Sequence, residues 1–264
     1  MTPIRLGAVG YLNARPLVRG LDAQADRFAL RFDVPSRCAS LLHEGRIDLG
    51  VIPSIEYLQR SDYRIVPGVA IASRGTAASV ALFSTRPVNA IRSIAIDSSS
   101  RTSVMLLRIL CAQSFDIEPK LVTLPPDLEA MVKRCDAALL IGDPALFADH
   151  DGLGLDKIDL GEEWLALTGL PFVYAVWAGR AGAIDAGGVA AMQAARDAGV
   201  AASDDVARQY YPDDDEKAAV GARYLRENMK YQLGEDELAG LRRFYGAAAD
   251  LRFVPSAGKL QFFP

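Results

Sequence analysis

Two stretches of the chain follow one plan: Arg46-x-Asp48-Leu49-Gly50-Val51-Ile52-Pro53-Ser54-x-x-x-Leu58 and Arg134-x-Asp136-Ala137-Ala138-Leu139-Leu140-Ile141-Gly142-Asp143-x-x-Leu146. Each gives an Asp at the close of a helix, a short hydrophobic strand, a small residue and a new helical turn. A buried strand between helices is the unit of a parallel sheet covered on both faces. Two copies imply two lobes built alike, each offering the carboxyl end of a strand to a shared cleft. The motif is short, and βα units often repeat this grammar, so the rest of the chain has to agree with it.

It does agree. Residues 4–9 read as a buried strand ended by Gly10, and Pro16 fits the first turn of the helix that follows. A second strand is expected at 29–33, with Ser36 capping a helix that Gly45 ends. Residues 47–52 form a strand running into Pro53-Ser54, and 55–58 begin a helical turn. Past Pro87 the pattern restarts with strand 94–96, helix 104–113, strand 121–124, a helix from Asp127 to 133, and strand 137–141. Residues 171–178 return the chain, and helices follow over 204–210, 215–230 and 235–249. In the last, Leu238, Leu241, Phe244, Tyr245 and Ala248 share one face, as a core stripe does. The expectation is an α/β chain in two lobes, 1–86 with 179–264 and 87–178, whose two crossings allow a hinge.

Composition narrows the partners. At 264 residues, half hydrophobic and 23% charged, the chain is globular and long enough for two cores. A net charge of -4 and scattered arginines argue against nucleic acid. No apolar run reaches the length of a membrane span, so no membrane insertion is expected. The first residues read as a core strand rather than a signal peptide. Cys38, Cys111 and Cys135 are odd in number and far apart, which suits free buried thiols in a reducing cytoplasm. His43 and His150 are the only histidines, too few and too separate for a zinc or di-metal site, so no metal is expected. Assembly into a homo-oligomer is left open.

Candidate chemistry gathers at the expected strand ends. Asp97-Ser98-Ser99-Ser100-Arg101-Thr102-Ser103 places hydroxyls and free backbone N–H groups before a helix start, which suits a carboxylate or phosphate. Arg101 adds a fork of donors matching a carboxylate. A plain helix cap with Arg101 in solvent is the competing account. Asn13 follows the first strand and can both donate and accept, although an Asn in a tight turn explains it equally. Ser54 and Ser79 lie near strand ends. Gly142 permits close approach of backbone to a ligand. Asp143 reads first as a helix cap, then as an acid or base. The chain has no GxxxxGK[ST], GxGxxG or GxSxG, so nucleotide cofactors and triad hydrolysis have no support.

Three motifs in order, Gly10-Tyr11-Leu12-Asn13-Ala14-Arg15-Pro16-Leu17, Asp48-Leu49-Gly50-Val51-Ile52-Pro53-Ser54 and Ser99-Ser100-Arg101-Thr102-Ser103, resemble the chorismate dehydratases of the futalosine route to menaquinone. Ile141-Gly142-Asp143-Pro144-Ala145-Leu146, Asp159-Leu160-Gly161-Glu162-Glu163-Trp164 and Thr168-Gly169-Leu170-Pro171-Phe172-Val173-Tyr174-Ala175-Val176-Trp177 extend the match. The sister 1,4-dihydroxy-6-naphthoate synthases tend to carry a Ser-Pro-Cys-Pro-Asn-type loop where this chain has Gly10-Tyr11-Leu12-Asn13. The resemblance implies a type II periplasmic-binding-protein-like fold with a central ligand cleft. It implies a lyase that removes water from chorismate, a dicarboxylate, without cofactor. It also implies that Asn13 and Ser79 act on the reacting substrate and that Ser99, Arg101, Thr102 and Ser103 grip a carboxylate. Tyr11, Ser54, Gly142 and Asp143 would stand beside the substrate. A non-catalytic small organic anion-binding protein is the reading from another class.

Overall fold

The computed structural model describes residues 2–264 apart from Ser98 and Ser100. Its strands are β1 (Ile4–Val9), β2 (Phe28–Asp33), β3 (Leu49–Pro53), β4 (Tyr63–Ser73), β5 (Val80–Ser84), β6 (Ser93–Ile96), β7 (Lys120–Thr123), β8 (Ala137–Ile141), β9 (Asp156–Asp159), β10 (Phe172–Arg180) and β11 (Met229–Lys230). Its helices are α1 (Pro35–His43), α2 (Arg101–Leu110), α3 (Leu128–Val132), α4 (Asp143–Leu146), α5 (Leu160–Thr168), α6 (Ala186–Ala201), α7 (Ser203–Tyr210), α8 (Asp215–Glu227) and α9 (Glu235–Asp250). None is long and apolar enough to cross a membrane.

The strands form two sheets, ordered β11-β4-β10-β3-β1-β2 and β7-β6-β8-β5-β9. In the first, β1 runs parallel to β2 and β3, and β10 runs antiparallel between β3 and β4. In the second, β6 runs parallel to β7 and β8, and β5 runs antiparallel between β8 and β9. Reading β2-β1-β3-β10-β4 against β7-β6-β8-β5-β9 matches the sheets direction for direction. The two strands of the sequence repeat, β3 and β8, hold the same place in each.

The lobe boundaries differ from those expected. All of β5 is buried and pairs with β8 and β9, so Val80–Ser84 belongs to the second lobe. All of β10 pairs within the first sheet. The chain therefore crosses at 74–79 and 160–171, ahead of the expected breaks at 86 and 179. Pro87 does end a hydrophobic run, but that run is an inner strand of the second sheet.

Helix ends show similar local differences. Pro35 takes the first turn of α1 and Val34 the capping position, where Ser36 was expected to cap. Asp127 caps α3 as expected, accepting from the Ala130 N–H at 3.0 Å. The stripe of α9 packs Phe244 against Phe172 of β10 and Trp164 of α5, with ring centroids 4.9 and 6.2 Å away. Each such side chain contributes about 1.5–3 kcal/mol by leaving water.

Candidate active site

Strand carboxyl ends from both sheets meet at one cleft. β1 brings Val9 and then Tyr11 and Asn13; β3 brings Pro53; β8 brings Ile141 and Gly142. The second lobe adds Ser99 and, from the start of α2, Arg101, Thr102 and Ser103. First-turn N–H groups of a helix have no acceptor within the helix, so this end of α2 presents donors together with the Arg101 guanidinium. α2 starts at Arg101, three residues before the expected helix. Ser98 and Ser100 of the hydroxyl-rich run lie outside the described residues. Ser99 turns inward, donating its N–H to Asp97 Oδ1 at 3.0 Å and its hydroxyl to Asp97 Oδ2.

Ser79 enters the cleft from the first crossing. The Asp159 carboxylate accepts the Ala77 and Ala78 N–H groups at 2.9 and 2.7 Å, and caps α5 through the Gly161 N–H at 2.9 Å. Ala78 is thereby held at φ 60°, a left-handed conformation unusual for a residue with a Cβ. The Ser79 N–H reaches back to the Ala77 carbonyl at 2.7 Å. Burial raises the Asp159 pKa, against these N–H bonds. Behind the wall, the hydroxyl of buried Tyr224 in α8 lies 3.0 Å from Asn13 Nδ2 and 2.6 Å from Ser79 Oγ.

Among the contacts that tie the lobes across the cleft, two sets are built on carboxylates. In one, Asp143 at the start of α4 accepts the Leu12 N–H at 3.1 Å and the Tyr210 hydroxyl at 2.5 Å. Burial raises the Asp143 pKa, with the Tyr210 and Leu12 bonds acting the other way. In the other, Arg101 Nη1 donates to Glu56 Oε2 at 2.8 Å, and the Thr102 hydroxyl accepts the Ile55 N–H at 3.2 Å. Glu56 also receives His43 Nε2 at 2.8 Å. Burial works against the charge on Glu56, yet the His43 bond and Arg101 outweigh it and lower the pKa.

Eight of the ten sequence candidates line this cleft: Tyr11, Asn13, Ser79, Ser99, Arg101, Thr102, Ser103 and Gly142. Ser54 does not. It is fully buried, donates to the Val173 carbonyl at 2.8 Å and pins β10 to the end of β3. Asp143 does not line it either, because its carboxylate is occupied by Leu12 and Tyr210. Arg101 does face the cleft, but it is already paired with Glu56 and is no free anion clamp. Sequence reasoning passed over wall residues such as Ile71, Tyr174 and Met229, and Tyr224 behind the wall. The one available signal was a tyrosine inside an otherwise hydrophobic segment, since a buried phenol has to find a partner.

The family described as menaquinone biosynthesis matches residues 4–250. A chorismate dehydratase of Thermus thermophilus is 29% identical over 275 residues, covering 97% of this chain and 98% of that protein. A solved structure of an Archaeoglobus fulgidus protein is similar with a TM-score of 0.76 at 18% identity, covering 96% of this chain and 98% of that one. The periplasmic aliphatic sulphonate binding protein of Escherichia coli is similar with a TM-score of 0.62 at 20% identity, covering 97% and 89%. These structural likenesses establish the fold, the two-lobed α/β architecture of periplasmic binding proteins with a cleft between the lobes.

Proposed function

This chain belongs to the menaquinone biosynthesis family, and on that footing we propose that it is a chorismate dehydratase, forming 3-[(1-carboxyvinyl)oxy]benzoate and water. The observation that carries the reading is the match to the Thermus thermophilus enzyme over nearly the whole of both chains. The cleft fits the chemistry. Elimination breaks the bond between C4 and its hydroxyl and the C–H bond at C3, and that electron pair completes the aromatic ring. The hydroxyl leaves with a proton as water, so no electrons enter or leave the system. Asn13 and Ser79 stand together as hydrogen-bonding partners for the departing hydroxyl. The start of α2, with Thr102 and Ser103, offers hydroxyl and first-turn N–H donors for a carboxylate, while Arg101 beside them stays paired with Glu56.

No Asp, Glu, His or Lys is among the described residues lining the cleft. This supports a mechanism in which the substrate's own enolpyruvyl carboxylate takes the C3 proton, with the cleft holding the conformer that brings them together. The test is incubation with chorismate followed by mass spectrometry and ultraviolet absorbance. The expected product is aromatic and lighter than chorismate by one water. Tight binding of chorismate with no such product would instead make the protein an anion receptor on the same fold.

A further inference from the structure

Tyr224 is 2% exposed and does not line the cleft, yet its hydroxyl touches both Asn13 and Ser79, which do. A phenol has one hydrogen to give, and its oxygen can accept. Asn13 Nδ2 donates to the Tyr224 oxygen at 3.0 Å, so the phenol hydrogen must go elsewhere. Ser79 Oγ, 2.6 Å away, is an acceptor in reach. Turned away from it, the hydrogen would be stranded in a buried site, which is costly. Burial also raises the Tyr224 pKa above the ordinary tyrosine value, so the phenol keeps its hydrogen at neutral pH.

We propose that Tyr224 is a positioning residue that sets the polarity of the pair in front of it. Its hydrogen occupies Ser79 Oγ, which frees the Ser79 hydroxyl hydrogen to point into the cleft. Its oxygen holds Asn13 Nδ2, which turns Asn13 Oδ1 away from Tyr224 as an acceptor. Resting on the reading of the cleft as a chorismate dehydratase, this arrangement aims the Ser79 O–H at the departing oxygen and Asn13 Oδ1 at its hydrogen. A donor on the leaving oxygen stabilises the negative charge that gathers there as the C–O bond breaks. The third partner thus comes from α8, in the part of the chain that follows both crossings.

Tyr224→Phe removes only the hydroxyl. With chorismate, kcat and kcat/KM should fall together by about 10- to 100-fold while KM holds, the pattern of an interaction made in the transition state. A general structural role would lower the melting temperature. Because a smaller active fraction also lowers both parameters together, rates are normalised to the folded fraction, where a structural role leaves kcat at the wild-type value. A second readout needs no turnover: the side-chain amide resonances of Asn13 in the ligand-free protein. Those resonances should shift in Tyr224→Phe, and their hydrogen exchange should quicken. Ser79→Ala gives the same test should Tyr224→Phe fail to fold. Deprived of Ser79, the phenol hydrogen turns to Asn13 Oδ1, and the amide signals must move. Unchanged amide signals in a folded variant, or wild-type kcat in Tyr224→Phe, would overturn the proposal. A wild-type protein that releases no product would end the dehydratase reading, and the amide signals would then decide on Tyr224 alone.

Discussion

The turn at Ala77 and Ala78 places Ser79 through a carboxylate that never reaches the cleft. Asp159 gathers N–H groups from that turn and from the start of α5, and an amide cannot replace it, since an amide nitrogen would face donors. Asp159→Asn should therefore cost about 1–3 kcal/mol of stability. A lower melting temperature together with a lower kcat would show it; an unchanged kcat would mean that Ser79 does not depend on the turn. Asn13 calls for a sharper experiment. Asn13→Leu keeps the bulk and removes donor and acceptor, so turnover should fall by about 100-fold or more. Affinity for the aromatic product should change far less, because its ring has lost the hydroxyl at that carbon. Single-turnover kinetics with product titration separates this outcome from a plain loss of fold.

At the scale of elements, the turn from β8 to α4 is the most demanding. Gly142 sits at φ 63° and ψ -148°, a region open essentially to glycine alone, and a Cβ there would come within 2.6 Å of the Tyr11 ring. Gly142→Ala should cost at least about 1–3 kcal/mol and push Tyr11 out of place, which calorimetry with chorismate would record as weakened binding. This part of the site was legible because its signal is local: a strand, a small residue, a helix start, repeated. The elements that escaped have misleading local signals. β4 carries Pro67-Gly68 in mid-strand, which reads as a turn; in the sheet it is a bulge where β10 shifts register between Val176 and Ala178. α6 contains Gly187, Gly188 and Gly199, poor helix formers. Gly199 is there for tertiary reasons, since a Cβ would lie 2.0 Å from the Pro16 carbonyl oxygen. Ser54 and Asp143 stand at the right strand ends, but their partners, Val173, Leu12 and Tyr210, come from distant parts of the chain. No pattern of spacing reveals such partners.

At the scale of the whole molecule, the Glu56 and Asp143 contacts both tie the lobes together, and each has its own test. The depressed pKa of Glu56 means that its charge stabilises the fold above its ordinary value near 4.5, and that this contribution is lost as pH falls through the lower folded value. The wild-type melting temperature should thus drop more steeply than that of Glu56→Gln on acidification from pH 5 to about 3, while Glu56→Gln should be the less stable protein at neutral pH. Tyr210→Phe removes the hydroxyl bonded to Asp143. Small-angle scattering should then report a larger radius of gyration for the ligand-free protein, and one unchanged from wild type would acquit that contact. The placement of β10 has a consequence for biosynthesis. Every strand of the second sheet has been made by Asp159, whereas the first sheet must keep a gap between β3 and β4 until β10 arrives at Phe172–Arg180. As the chain leaves the ribosome, the later-encoded lobe can therefore close first. The amino-terminal one waits, its two inner strand edges unpaired and exposed to wrong partners.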